Sequence, residues 1–193
     1  DIPLNENGKD QARKTFEYLR NISFNKAFSS SMHRPYETAQ IILQNNKDLK
    51  IEKIDSLVEI SHGLWEGKLE VDIREKWPVL LKNWHDKPEE VIMPEGESIK
   101  DVSERSVKAF AKICLSQKDN DLSLLVAHDA VNKTLICNIL GINYSNIWMI
   151  KQGNGGITII DLFNDPSKPA VISALNITTH LGGIIDSTAS GAL

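Results

Sequence analysis

The run Leu122-Ser123-Leu124-Leu125-Val126-Ala127 constrains this chain most, because it is almost uninterruptedly apolar and stops abruptly at His128-Asp129. A strand exposed on one face alternates apolar with polar residues, whereas an unbroken run fits a strand buried on both faces of a parallel sheet. Residues 130–140 then carry helical spacing up to Gly141, a residue suited to the left-handed turn that closes a helix. The reading is strand, sharp turn, helix, with a histidine at the strand's carboxyl end. Open α/β sheets bind their ligands beyond such ends.

The same pattern recurs upstream. Residues 6–20 set Ala12, Phe16 and Leu19 on one face, predicting an amphipathic helix packed on a sheet. Residues 25–30 read as a strand, and Pro35 fits the first turn of a helix running through Thr38, Ala39 and Ile42. Residues 51–60 read as a strand and its exit, followed by Gly63 and Gly67. Residues 70–85 predict a helix that Pro78 interrupts or restarts. Residues 85–97, with Pro88, Pro94, Gly96 and several acids, read as a surface excursion suited to covering a site.

Ser98 and Asp101 have capping-box spacing, heading a helix that ends near Ser116 and carries Ile99, Val102, Phe110 and Ile113 as its apolar stripe. Residues 157–162 read as a further strand and 170–175 as one at an edge. Alternating strands and helices predict an α/β three-layer sandwich, a mostly parallel sheet with helices on both faces. One domain over residues 1–180 is expected, with a poorly ordered tail over 181–193.

Composition removes several functions. The chain has 193 residues, enough for one substantial core, and 22 Lys and Arg against 26 Asp and Glu give a net charge of −4. That balance argues against a surface for nucleic acid. The apolar runs are too short to cross a membrane, and no charged-then-apolar signal pattern opens the chain. Cys114 and Cys137 lie among aliphatic residues in predicted helices, so buried free thiols and a reducing, cytoplasmic setting are expected. The five histidines show no metal-ligand spacing, and neither metal nor cofactor is expected. Gln152-Gly153-Asn154-Gly155-Gly156 lacks the lysine and spacing of a phosphate-binding loop, so it reads as a hairpin or strand-entry loop.

Three residues carry the chemistry. Arg34 stands where a strand gives way to a helix, and a planar, permanently charged fork beside unpaired helix amides suits two phosphate oxygens. Glu59 follows an apolar run near Leu57, Leu64 and Trp65, which would desolvate its carboxyl and let it protonate a leaving oxygen. His62 and Glu66 rank below it in that role. His128, at the end of a probable central strand and just before a helix, is suited to donating to phosphate oxygens. Asp129 suggests a His–Asp dyad for hydrolysis, but no G-x-S-x-G turn accompanies it.

Together these segments resemble the histidine phosphatase superfamily, also called phosphoglycerate mutase-like. Asp1-Ile2-Pro3-Leu4 with Gly8 and Gln11-Ala12 is similar to its D-x-P-L-T-x-x-G-x-x-Q-A stretch. Ser29-Ser30 through Arg34 and Glu37-Thr38-Ala39 resembles S-S-x-x-x-R-x-x-E-T-A. Leu57, Glu59, Gly63 and Trp65-Glu66-Gly67 follow L-x-E-x-x-x-G-x-W-E-G, and Pro94-Glu95-Gly96-Glu97-Ser98 follows P-x-G-E-S. The resemblance implies a small phosphorylated metabolite as substrate, Arg34 as the phosphoryl clamp, Glu59 as general acid and then base, and His128 as a pocket histidine. Arg34, His128 and Asp129 would line the substrate site, with Asp129 disfavouring highly charged substrates.

The family's nucleophile is a histidine in an R-H-G motif on its first strand, and this sequence contains no such motif. The expectation is therefore that residue 1 is not the natural start, and that these residues alone are inactive and unstable for want of a central strand. The family's usual H-G-G or H-G-A, with an arginine five positions after the histidine, is here His128-Asp129-Ala130, with Lys133 in place of the arginine. That variant, with Lys151-Gln152-Gly153-Asn154-Gly155 and Asn176-Ile177-Thr178-Thr179-His180-Leu181, resembles a branch from photosynthetic lineages. That branch is often a C-terminal domain and is sometimes labelled carboxyarabinitol-phosphate phosphatase. A phosphomonoesterase working through a phosphohistidine is the leading expectation. A phosphoglycerate mutase and a noncatalytic phosphate-sensing domain are its rivals.

Overall fold

The computed structural model describes residues 1–163 and 168–182, so the tail expectation for 183–193 falls outside the described residues. The first helix, α1 (Glu6–Leu19), buries Ala12 and Phe16 as the spacing predicts and half-buries Leu19. Strand β1 (Lys26–Ser30) leads into α2 (His33–Ile42), and β2 (Ile51–Ile54) is followed by two short helices. These are α3 (Glu70–Lys76) and α4 (Pro78–Asp86), and the second restarts with Pro78 in its first turn, where a missing N–H costs nothing. Then come α5 (Ile99–Ser116), β3 (Ser123–Val126), α6 (Asp129–Leu140), β4 (Ile157–Asp161) and β5 (Val171–Ile177).

Strands β2, β1 and β3 form a parallel sheet in that order, with Phe28 opposite Glu52 on one side and Leu125 on the other. Alternate residues of a strand face opposite sides of its sheet. Phe28 joins the large core cluster with Leu57, Trp65, Ile99, Val102 and Val131, while α2 packs across all three strands and carries α1. Helices therefore flank a parallel sheet, as expected of the α/β class. Strands β4 and β5 form a separate antiparallel ribbon.

Four expectations change. All four residues of β3 are half-buried, not enclosed on both faces, because β3 pairs with β1 alone among the described residues and keeps an open flank. The 85–97 stretch is no mere surface excursion, since Pro88, Val91 and Met93 are buried while Glu89, Glu90, Ile92 and Glu95 face water. Cys137 is buried but Cys114 only partly so, because it lies near the exposed end of α5; both thiols are free. The strand expected over 51–60 stops at Ile54, and the chain continues as a single turn over 55–57 and then extended. No described helix is long and apolar enough to cross a membrane.

Candidate active site

The carboxyl ends of β1 and β3 lie side by side, so the turns leaving them converge. From Ser30 the chain runs through Ser31 and Met32 into α2, where Pro35 is buried and Arg34 stays exposed. Among the described residues, no hydrogen bond or ion pair reaches the Arg34 guanidinium. The neighbouring His33 amide donates to both Asp1 carboxylate oxygens at 3.0 and 3.1 Å, as an anion at a helix N-terminus is expected to accept.

His128 caps the start of α6 and is 7% exposed. Its Nε2 shares a 2.9 Å hydrogen bond with the Ser30 hydroxyl, tying β3's exit to β1's end. Burial, followed by the positive fields of Arg34 and Arg105, holds the imidazole down at about 4. It is neutral at physiological pH, and Arg34 lies close enough for its charge to be felt there.

Glu59 sits in an extended segment beyond the single turn at 55–57. Its Oε1 accepts from the Ile60 amide at 2.9 Å and its Oε2 from the Asp129 amide at 3.1 Å, one residue from His128. Its own amide meets the Met32 sulfur at 3.5 Å, two residues before Arg34. Burial pushes this carboxyl above the ordinary range, and the Asp129 charge adds to the rise against the pull of the amides it accepts from. Leu57 and Trp65 are fully buried as the desolvation argument requires, but Leu64 faces solvent. Of the lower-ranked candidates, Glu66 is exposed beside the Ser61 hydroxyl, and the ring of His62 meets Trp84 edge-on.

Asp129 adds a second charge. Its Oδ2 pairs with Lys133 Nζ at 2.8 Å across one turn of α6, and Lys133 also lies 5.1 Å from the centre of the Trp148 ring. Its Oδ1 is buried and has no hydrogen-bond partner among the described residues. No group of three or more metal-ligating side chains gathers among the described residues.

Two features escape a reading by motif alone. Ser30 belongs to a serine run whose pairing with His128 depends on the parallel register. Arg105 lies on α5, far from the site in sequence, yet it binds the segment that carries Glu59.

The chain is 32% identical over 182 residues to "Phosphoserine phosphatase 1" of Hydrogenobacter thermophilus, covering 94% of this chain and 84% of that protein. It is 27% identical over 180 residues to "Probable 2-carboxy-D-arabinitol-1-phosphatase" of Arabidopsis thaliana, covering 92% of this chain but 37% of the plant protein. The solved structure of Bacillus stearothermophilus YhfR superposes with a TM-score of 0.87 at 25% identity, covering 94% of this chain and 88% of that one. Residues 1–174 match the sequence model of the histidine phosphatase superfamily (branch 1), and with its fold and its paired strand ends this chain belongs to that superfamily.

Proposed function

We propose that this protein is a metal-independent phosphomonoesterase that works through a phosphohistidine on a small phosphorylated metabolite. The observation that carries this reading is the hydrogen bond from the Asp129 amide to Glu59 Oε2, which couples a raised carboxyl to the turn bearing His128. Arg34 is the one cation there without a protein partner among the described residues, and it takes the phosphoryl oxygens. Neutral His128, fixed by Ser30, donates to the same group as charge builds on it. Glu59 gives its proton to the leaving alcohol oxygen as the phosphoryl group moves to a histidine, and as a carboxylate it then takes a proton from the water that releases inorganic phosphate.

The nucleophile belongs to the family's first strand, and the edge of β3 turned away from β1 is unpaired among the described residues, which leaves such a strand a place beside it. Hydrolysis is favoured over a mutase because the stretch from Gly67 to Ser98 is taken up by two short helices and by core residues, leaving little to exclude water from an intermediate.

For the substrate we favour an amino-acid phosphate. The Lys133–Asp129 ion pair beside His128 carries one charge of each sign, with which the carboxylate and ammonium of such a substrate would exchange partners, consistent with similarity to a phosphoserine phosphatase. The 128–133 stretch also resembles the branch from photosynthetic lineages, so a sugar-acid phosphate is the comparison substrate. A small metabolite substrate and two free thiols fit a cytoplasmic enzyme with no nucleic-acid or membrane partner.

The test is hydrolysis of phosphoserine and of a polyol phosphate by the full-length protein in excess chelator, with acid-labile phosphate trapped on the protein. Turnover in chelator, trapped phosphate and a large loss in His128→Ala support the reading. Unchanged turnover in His128→Ala contradicts the role given to that residue.

A further inference from the structure

We propose that Arg105, with Glu97, is the positioning pair that holds the general acid Glu59 on the leaving oxygen; this rests on the phosphatase reading above. A guanidinium has five N–H donors in a rigid plane, and every one is used here. Nε donates to Glu97 Oε1 at 2.8 Å and Nη2 to Glu97 Oε2 at 2.9 Å, a bidentate pair. Nη1 donates to the carbonyls of Ser56 at 3.0 Å and Val58 at 2.7 Å, and Nη2 donates again to the Glu59 carbonyl at 3.1 Å.

Those three carbonyls lie where the chain has left β2 and has no ladder to satisfy them. Glu97 then fastens the far side of the acid. Its Oε2 accepts from the Ser61 amide at 3.0 Å, and its own amide donates to the Ser61 carbonyl at 2.9 Å. Glu59 is thus bracketed at residues 56, 58 and 61 and held at its own carbonyl. The bracket is anchored to the first turns of α5, whose start is locked by the Ser98–Asp101 capping box. With its backbone fixed, the side chain is left to the two amides it accepts from and to the substrate. Lysine cannot replace this arginine, because three donors on a point charge do not span a carboxylate and three carbonyls in one plane.

The readout is chosen so that simple loss of structure does not imitate it. An alkyl phosphate such as phosphoserine needs a proton on its leaving oxygen, whereas the nitrophenolate of p-nitrophenyl phosphate departs without one. In the full-length protein, Arg105→Lys and the gentler Glu97→Gln are expected to lower kcat/KM, which reports the step in which the leaving group departs, about 10- to 100-fold more on phosphoserine than on p-nitrophenyl phosphate. Glu59→Gln sets the direction of that bias. The ratio of the two rates is independent of the fraction folded, so a partly unfolded preparation still decides. Equal losses on both substrates overturn the proposal and leave the phosphatase reading standing. A wild-type protein that hydrolyses neither substrate overturns that reading itself.

Discussion

The two arms proposed to meet at the anion are built in opposite ways. Arg34 projects from the first turn of α2 into solvent, with no hydrogen bond or ion pair on its guanidinium among the described residues. Glu59 is held on both carboxylate oxygens, at its carbonyl and through its neighbours. A cation that must receive a substrate gains from being unpaired, since any protein carboxylate would compete with phosphate for it. A proton donor gains from burial and fixed geometry, because desolvation keeps its proton on and misplacement is costly. The contrast teaches that, under the proposed roles, binding and proton transfer have separable structural supports.

The largest expected effect breaks the fastened arm at its tip. Glu59→Gln removes the transferable proton and should lower kcat on an alkyl phosphate by about 10²- to 10⁴-fold in steady-state assays. Breaking the open arm comes next. Arg34→Ala should lower kcat/KM about 10²- to 10³-fold, while its denaturant midpoint stays within about 0.5 kcal/mol of wild type. A large stability loss in Arg34→Ala would mean that the arm is not free, and the contrast would fail.

Gly63→Ala attacks the support of the fastened arm. Gly63 has φ 53°, and a Cβ there would lie 2.1 Å from the Pro94 carbonyl oxygen, across the backbone seam that joins the Glu59 segment to the Glu97 loop. A cost of about 1–3 kcal/mol in chemical denaturation is expected. A separate expectation concerns pH dependence. His128 is held at about 4 in the folded protein against 6.5 when free, so the unfolded chain binds the extra proton first. Its contribution to stability is complete above about pH 6.5 and is lost as pH falls towards about 4. Denaturation profiles of His128→Gln should be flatter than wild type across that window.

Much of this arrangement was legible in the sequence because it depends on local chemistry. The helix heads at Pro35, Pro78 and Ser98 and the helix end at Gly141 follow from backbone rules, and each stands where spacing predicts. Arg34, Glu59 and His128 were readable as candidates because charged residues at strand ends interrupt apolar runs. What could not be read is long-range pairing. The half-burial of β3 depends on which strand lies beside it, and the burial of Val91 and Met93 depends on a core closed by α4 and α5. Arg105 looked like one more charge on an amphipathic helix, since its value lies in carbonyls some fifty residues away.

The most direct measurement is a crystal structure of the full-length protein grown with vanadate, a mimic of phosphorus in transfer. The account predicts one vanadate with the Arg34 guanidinium and the His128 imidazole both within hydrogen-bond distance and the Glu59 carboxyl on its outward oxygen. A vanadate seated elsewhere, or one that meets His128 while Arg34 points away, would contradict it.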